Sequence, residues 1–350
     1  MDEGDVRATL ARRLRTQGRA CAEIGSPLYA GILEHAAVDV EAGGVVRDVL
    51  DGHEHDPGPS ALALRLLGAV HRMVLEGTVP DLARHYPSAG GTDAGDPWPA
   101  FLATVTDRFD DVRAGLRRGV QTNEVGRAGA LAPAFLHAAR TTGAGEVRVL
   151  EIGASGGLNL RWDHFGYADV WGDPDSPVQL GDPYDGARPP FDTTVTVAER
   201  AGCDPNPIDV TTDDGALTLM SFVWPDQDRR FRDLRGAIGI ARRVPAALEQ
   251  AEAAPWVSER LAQPQPNGRL TIVYHSVVMQ YLTEDGRNAF FDAMQTAGGR
   301  ATGDAPLAWV RFEPTRRTFE VRVTTWPGGD DQLVAEAGAH GRPVRWLASR

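Results

Sequence analysis

The segment Glu146–Asp163, EVRVLEIGASGGLNLRWD, constrains the fold of this chain more than any other. An apolar run, Val147-Arg148-Val149-Leu150-Glu151-Ile152, meets a glycine cluster at Gly153, Gly156 and Gly157. Apolar residues then recur at helical spacing from Leu158-Asn159-Leu160, so the pattern predicts a strand, a tight turn and a helix. Such a turn exposes the first N–H groups of the helix, and its glycines let a ligand approach the backbone, which suits an anionic or carboxylate-bearing ligand. Glu151, at the end of the strand, adds a carboxyl group beside them.

Upstream of about residue 120 the pattern is helical. Val6, Leu10 and Leu14 share one face, Ser26-Pro27 forms a helix start before Leu28–Val40, and an apolar stripe runs through Leu62, Leu66, Leu67, Val70 and Val74. A further amphipathic helix is predicted over Phe101–Leu116. The loop from Asp51 to Pro59 carries His53-Glu54-His55 among Asp, Gly and Pro residues, and no third ligand at a defined spacing accompanies it. These residues predict an N-terminal helical domain over 1–120, serving as a lid or acceptor domain.

Residues 121–350 predict a second domain in which strands and helices alternate. Asn123-Glu124-Val125-Gly126-Arg127 precedes a helix through Leu131 and Phe135, with Asn123 as its N-cap and Arg127 as a ligand-binding candidate. Because that helix feeds directly into the strand at Val147, its start is expected some distance from the glycine turn. Tyr167–Pro190 is an irregular Gly/Asp/Pro-rich excursion, and Thr193–Ala198 predicts a second strand. Asp204 follows that strand, where an acid can meet ribose hydroxyls. Asp209 is second, and Asp173 or Asp182 in the excursion could substitute. The apolar run Leu217–Val223 places Trp224 at a carboxyl end, followed by Pro225-Asp226-Gln227; Leu270–Tyr274 is a strand ending in His275-Ser276. Leu307–Phe312, Val321–Trp326 and Val344–Leu347 predict further strands, with a helix around Gln332–Ala339. The fold expected is α/β: a doubly wound, mainly parallel, Rossmann-like sheet with an antiparallel edge. In such sheets ligands bind outside the carboxyl ends of the strands, where Glu151, Asp204, Trp224 and His275-Ser276 all fall in this reading.

The partner class follows from charge. With a formal net charge of −12 and no lysine, the chain lacks the basic excess that phosphate-backbone binding uses, which favours a small-molecule substrate over nucleic acid. No apolar span of about 18 residues is present, so the chain reads as a cytoplasmic protein without a membrane segment. Two cysteines, Cys21 and Cys203, make neither a disulfide framework nor a thiolate-rich zinc site.

Val149-Leu150-Glu151-Ile152-Gly153-Ala154-Ser155-Gly156-Gly157 resembles the first motif of class I S-adenosylmethionine-dependent methyltransferases, with Ser155 in place of the central glycine. A longer set resembles a family of bacterial proteins known as a domain of unknown function: Asn123–Arg127, Glu151–Leu160, Trp224-Pro225-Asp226-Gln227, His275-Ser276-Val277-Val278 and Trp326-Pro327-Gly328-Gly329. The methyltransferase resemblance implies S-adenosylmethionine as cofactor. It would be held by Glu151, Gly153, Ser155, Gly157 and Asn159, with Asp204 and Asp226 assisting. Arg127, Trp224 and Ser276 would line the acceptor site, and His275 would be the catalytic base.

Gly153-Ala154-Ser155-Gly156-Gly157 also fits Gly-x-Ser-x-Gly, the nucleophile elbow of α/β-hydrolases. That alternative makes Ser155 the nucleophile of an esterase, His340 its base, and Asp304 or Asp331 the orienting acid. Glu151, just ahead of the elbow, has no hydrolytic purpose. The third alternative is a non-catalytic Rossmann-like binding protein.

Overall fold

The computed structural model describes residues 3–348. In chain order the helices are α1 (Glu3–Ile24), α2 (Pro27–Ala42), α3 (Val45–Val49), α4 (Leu62–Leu75), α5 (Pro80–Ala83) and α6 (Trp98–Asp107). They continue as α7 (Phe109–Gly115), α8 (Ala128–Thr142), α9 (Asp213–Ser221), α10 (Asp228–Ala241), α11 (Ala253–Ala262) and α12 (Glu284–Gly298). The strands are β1 (Glu146–Ile152), β2 (Gly166–Tyr167), β3 (Trp171–Gly172), β4 (Tyr184–Gly186), β5 (Thr196–Asp204) and β6 (Ala247–Gln250). After them come β7 (Arg269–Ser276), β8 (Leu307–Pro314), β9 (Phe319–Trp326), β10 (Asp330–Ala337) and β11 (Val344–Trp346). Among the described residues no helix is long and apolar enough to cross a membrane.

Two compact units divide the chain: Met1–Thr122 with Thr212–Arg232, and Asn123–Thr211 with Asp233–Arg350. In the helical unit, α2 begins where the sequence predicts. Ser26 accepts a bond from the Tyr29 amide, Pro27 supplies a preset φ at the first turn, and Gly43 ends the helix in the left-handed region. The stripe of α4 is buried through Leu66, Leu67, Val70 and Val74. The predicted helix over Phe101–Leu116 breaks at Arg108, whose φ of −118° and ψ of 33° divide it into α6 and α7. His53 bonds Asp56 at 2.9 Å, and the same carboxylate holds Arg65 at 2.6 Å.

The run Leu217–Val223 is not a strand. It lies in α9 and the turn after it, because Thr212 accepts from the Gly215 amide and Asp213 and Asp214 occupy the first turn, a strong helix start. Trp224 therefore stands at no strand end.

The second unit is built on a sheet with the order β4-β11-β10-β9-β8-β7-β1-β5-β6. Strands β6, β5, β1, β7 and β8 run parallel, while β8-β9, β9-β10 and β10-β11 are antiparallel. Helices cover both faces. Leu150, Ile152, Val273 and Trp309 pack with Trp256 of α11 and Phe290 of α12; on the opposite face Tyr274 meets Phe135 of α8, ring centroids 4.9 Å apart.

Several expectations change here. Residues 332–337 belong to strand β10: Gly328 and Gly329, with φ of 121° and 76°, close a hairpin onto β9, so ladder pairing overrides the helical reading. The second strand runs on to Asp204, and β6 and α11 are elements that periodicity did not single out. Leu158–His164 is a buried 3-10 segment kinked at Arg161 instead of a regular helix. The excursion after it is ordered by rings: Trp171 stacks on Trp162 at 5.1 Å, and Tyr167, Phe191 and Tyr184 extend the contact.

Candidate functional site

Strand order reverses at β1, with β5 and β6 on one side and β7 and β8 on the other. In open α/β sheets the crevice at such a reversal, outside the carboxyl ends, is where ligands bind. The glycine turn occupies that position. Gly153, Ser155 and Gly157 adopt φ of 65°, 51° and 63°, so alternate residues coil through the left-handed region.

The protein itself closes this turn. A Cβ on Gly153 would lie 2.4 Å from Val278, and one on Gly157 would lie 2.7 Å from Leu248. The amides are engaged as well. Ala154 N–H donates to the Cys203 carbonyl at 3.0 Å and Gly157 N–H to the Ala154 carbonyl at 2.7 Å. Ser155 N–H donates to Asp204 Oδ2 at 2.9 Å, and Leu158 N–H to Asn123 Oδ1 at 2.8 Å. Four of the amides expected to cradle an anion are thus engaged within the chain. Asn123 caps this 3-10 segment, while Glu124 caps the next turn by accepting from the Gly126 amide. Asn123–Arg127 lies against the glycine turn, and the separation expected from chain order does not occur, because α8, at ~1.5 Å per residue, and β1, at ~3.3 Å per residue, have nearly equal lengths, so a helix that folds back over the sheet starts where β1 ends.

Side chains around the turn are less completely matched. Glu151 is 2% exposed and sits in register with Tyr274 on β7 and Gly202 on β5. Burial pushes its carboxyl up to about 8, opposed by the Tyr274 hydroxyl and by Arg161 and Arg127, and reinforced by Asp204. Among the described residues, Glu151 Oε2 and Asn159 Oδ1 are buried without a hydrogen-bond partner, while the buried Tyr274 hydroxyl interacts with the Glu151 carboxyl. Asn159 Nδ2 donates to the Glu124 carbonyl at 3.2 Å, which fixes its amide. Arg161 is committed to the Gly157 carbonyl at 2.7 Å and the Val244 carbonyl at 3.0 Å.

The remaining sequence candidates separate. Arg127 and Ser276 come together: Arg127 Nη1 donates to the Ser276 carbonyl at 3.1 Å and to its Oγ at 3.3 Å, and Nε donates to the Ala339 carbonyl at 3.2 Å. Asp204 spends Oδ2 on Ser155 and Oδ1 on the Asn206 amide at 2.8 Å. His275 turns to the α12 face, fully buried against Phe290 and Trp309, and its Nδ1 bonds Glu313 at 2.7 Å. Trp224 and Asp226 belong to the helical unit. Trp224 packs in its core beside Tyr29, and Asp226 accepts from Ser26 Oγ at 2.6 Å and Leu28 N–H at 3.1 Å, capping α2.

A hydrolytic triad does not form from the acids considered. Asp331 opens β10 and is held by Arg311 and by Arg322, the latter at 2.7 Å. Asp304 precedes β8, whereas His340 follows the far end of β10, a strand length away at roughly 3.3 Å per residue. Periodicity missed Tyr274, Arg161 and Glu313, although the carboxyl-end rule that selected His275 also covers its neighbour Tyr274 and, on β8, Glu313.

The family model described as "Uncharacterized protein conserved in bacteria (DUF2332)" matches residues 11–346. The chain belongs to this family. The match takes in both DUF2332 units, the carboxyl edge of the sheet and the capping segment around Asp226. No curated protein and no solved structure matches the chain.

Proposed function

We propose that the sheet unit binds S-adenosylmethionine and transfers its methyl group to a small-molecule acceptor, as a class I methyltransferase-like enzyme on a Rossmann-like sheet. The observation that carries this reading is Glu151, buried with an unpartnered oxygen at the point where strand order reverses. Counted in chain order, the five parallel strands lie third, second, first, fourth, fifth, the order of doubly wound nucleotide-binding sheets. The acceptor atoms fit as well. Glu151 Oε2 and Asn159 Oδ1 can receive bonds from a ligand carrying an ammonium and ribose hydroxyls. S-adenosylmethionine would supply an electrophilic methyl group. The chain's task is to align donor and acceptor and exclude water. Glu151 and Asn159 would hold the cofactor, Asp204 would keep the turn in shape through Ser155, and Arg127 with Ser276 would border the acceptor. His275, buried against Glu313, serves this reading as a positioning group and not as the base.

One observation favours a second reading, a ligand-binding protein without catalysis: four of the turn's amides are already spent within the chain. Calorimetry with S-adenosylmethionine and S-adenosylhomocysteine tests both. The methyltransferase reading expects binding that Glu151→Ala weakens at least about tenfold, a loss of about 1.4 kcal/mol. Absence of binding at millimolar ligand ends it, and labelling of Ser155 by a fluorophosphonate would move the assignment to a hydrolase.

A further inference from the structure

The chain leaves β7 through a strained turn. Val277 has a φ of 60°, a conformation that a β-branched residue seldom adopts, and it needs strong local restraint to persist. That restraint is visible. Val277 N–H donates to the Phe312 carbonyl of β8 at 2.8 Å. Glu313 Oε1 accepts from Val278 N–H at 2.9 Å and from Met279 N–H at 3.4 Å. The same oxygen takes the bond from His275 Nδ1 at 2.7 Å, and the His275 ring packs against Phe290 and Trp309. Arg127 grips the carbonyl just ahead of the turn, on Ser276.

This restraint bears directly on the glycine turn. Val278, whose amide Glu313 holds, places its side chain in the space that a Cβ on Gly153 would need. Gly153 is the first residue after β1, so Val278 fixes where the β1 turn begins. The two turns at the strand reversal therefore share one contact, and a carboxylate on β8 holds it in place.

We propose that Glu313 is a positioning residue for the ligand site: together with His275 it pins the Val277–Met279 turn, and Val278 then sets the conformation of the Gly153–Leu158 turn. The assignment rests on the reading that this turn binds S-adenosylmethionine, but half of its test needs no ligand. A carboxylate is suited to the task because one oxygen can accept several bonds at once. Glutamine keeps a single acceptor oxygen of the same reach, and leucine removes it.

The experiment compares wild type, Glu313→Gln and Glu313→Leu by amide hydrogen exchange and by calorimetry with S-adenosylhomocysteine. In Glu313→Leu, exchange at 277–279 and at 153–158 is expected to quicken at least tenfold while Val147–Leu150 in β1 keeps its protection. Glu313→Gln should fall between the two, and affinity for S-adenosylhomocysteine should follow the same order. Unchanged exchange at 153–158 in both variants overturns the proposal, as does faster exchange spread evenly over β1. Should Glu313→Leu fail to fold, Glu313→Gln decides by the same two regions. If wild type binds no S-adenosylhomocysteine the functional reading fails, and hydrogen exchange still decides whether Glu313 holds the turn. If wild type binds and both variants bind equally well, the positioning role is lost and the functional reading stands.

Discussion

His71 in the helical unit and Glu151 in the sheet unit are both fully buried titratable groups, yet their surroundings treat them in opposite ways. His71 gives Nδ1–H to the Ser221 carbonyl at 3.0 Å and receives Ser88 Oγ on Nε2 at 2.7 Å, so the bonding pattern specifies one neutral tautomer. Glu151 keeps an oxygen without a partner, and the Tyr274 hydroxyl is the neighbour its carboxyl interacts with. A completed polar pair specifies packing, whereas an incomplete one at a strand reversal is what a binding site needs. In the glycine turn itself the roles differ by atom type: the amides of Ala154, Ser155, Gly157 and Leu158 are engaged within the chain, whereas Glu151 Oε2 and Asn159 Oδ1 are not.

The largest effect should come from breaking the completed side. His71→Ala removes two bonds, strands the Ser221 carbonyl and leaves a cavity, and is expected to cost about 3–5 kcal/mol in urea denaturation. A loss below about 1 kcal/mol would mean that the pair contributes no specificity.

Acid and base should then act in opposite directions. The Glu151 carboxyl sits at about 8 against an ordinary 4.5, so between these values the folded state keeps a proton that the unfolded chain has lost. Its contribution is complete below about pH 4.5 and disappears as pH rises to about 8, by at most about 5 kcal/mol, and Glu151→Gln should flatten that slope. His71 is lowered to about 4 from 6.5 by burial, so its contribution is complete above about pH 6.5 and is lost as pH falls to about 4. Thermal midpoints followed from pH 4 to 9 in wild type, Glu151→Gln and His71→Ala separate the two slopes. Parallel slopes would erase the contrast.

Closure of the glycine turn by protein makes a further distinction. Gly153→Ala faces both a positive φ and Val278, and should cost about 2–4 kcal/mol. Gly143→Ala has a comparable φ of 71° with nothing within 4 Å of the added methyl, and should cost about 1–2 kcal/mol in the same denaturation. Equal losses would show that conformation alone, and not packing, demands glycine at Gly153. The smallest effect belongs to Asp226→Ala, which removes a remote cap from α2 and should lower stability by about 1 kcal/mol while leaving S-adenosylhomocysteine affinity unchanged. A loss of affinity there would return Asp226 to the ligand site.

The residues show why some of this was legible and some was not. Ser26-Pro27 and the alternation of parallel strands with helices rest on neighbours within a turn or two, and local chemistry decides them. Residues 332–337 show the limit, since their apolar spacing is compatible with either state and the hairpin at Gly328-Gly329 supplies the ladder that selects a strand. Asp204 and Ser276 do end β5 and β7, as the strand-end rule expects, but that rule gives the edge of the sheet and not the face or the role. His275 falls where that rule fails, because one residue along a strand reverses the side chain to the opposite helix layer.

Sequence alone determined the strand and turn at Glu146–Gly157, the helical character of the first 120 residues and the acid placed at the end of β1, because each is encoded by spacing along a short stretch of chain. Tertiary structure decided that residues 212–232 join the helical unit and take Trp224 and Asp226 with them. It also filled the glycine turn with Val278, Leu248 and Asn123, and left Glu151 buried with an unpartnered oxygen. Those outcomes depend on which distant groups arrive at a position and on how much water they exclude, and no local pattern encodes either.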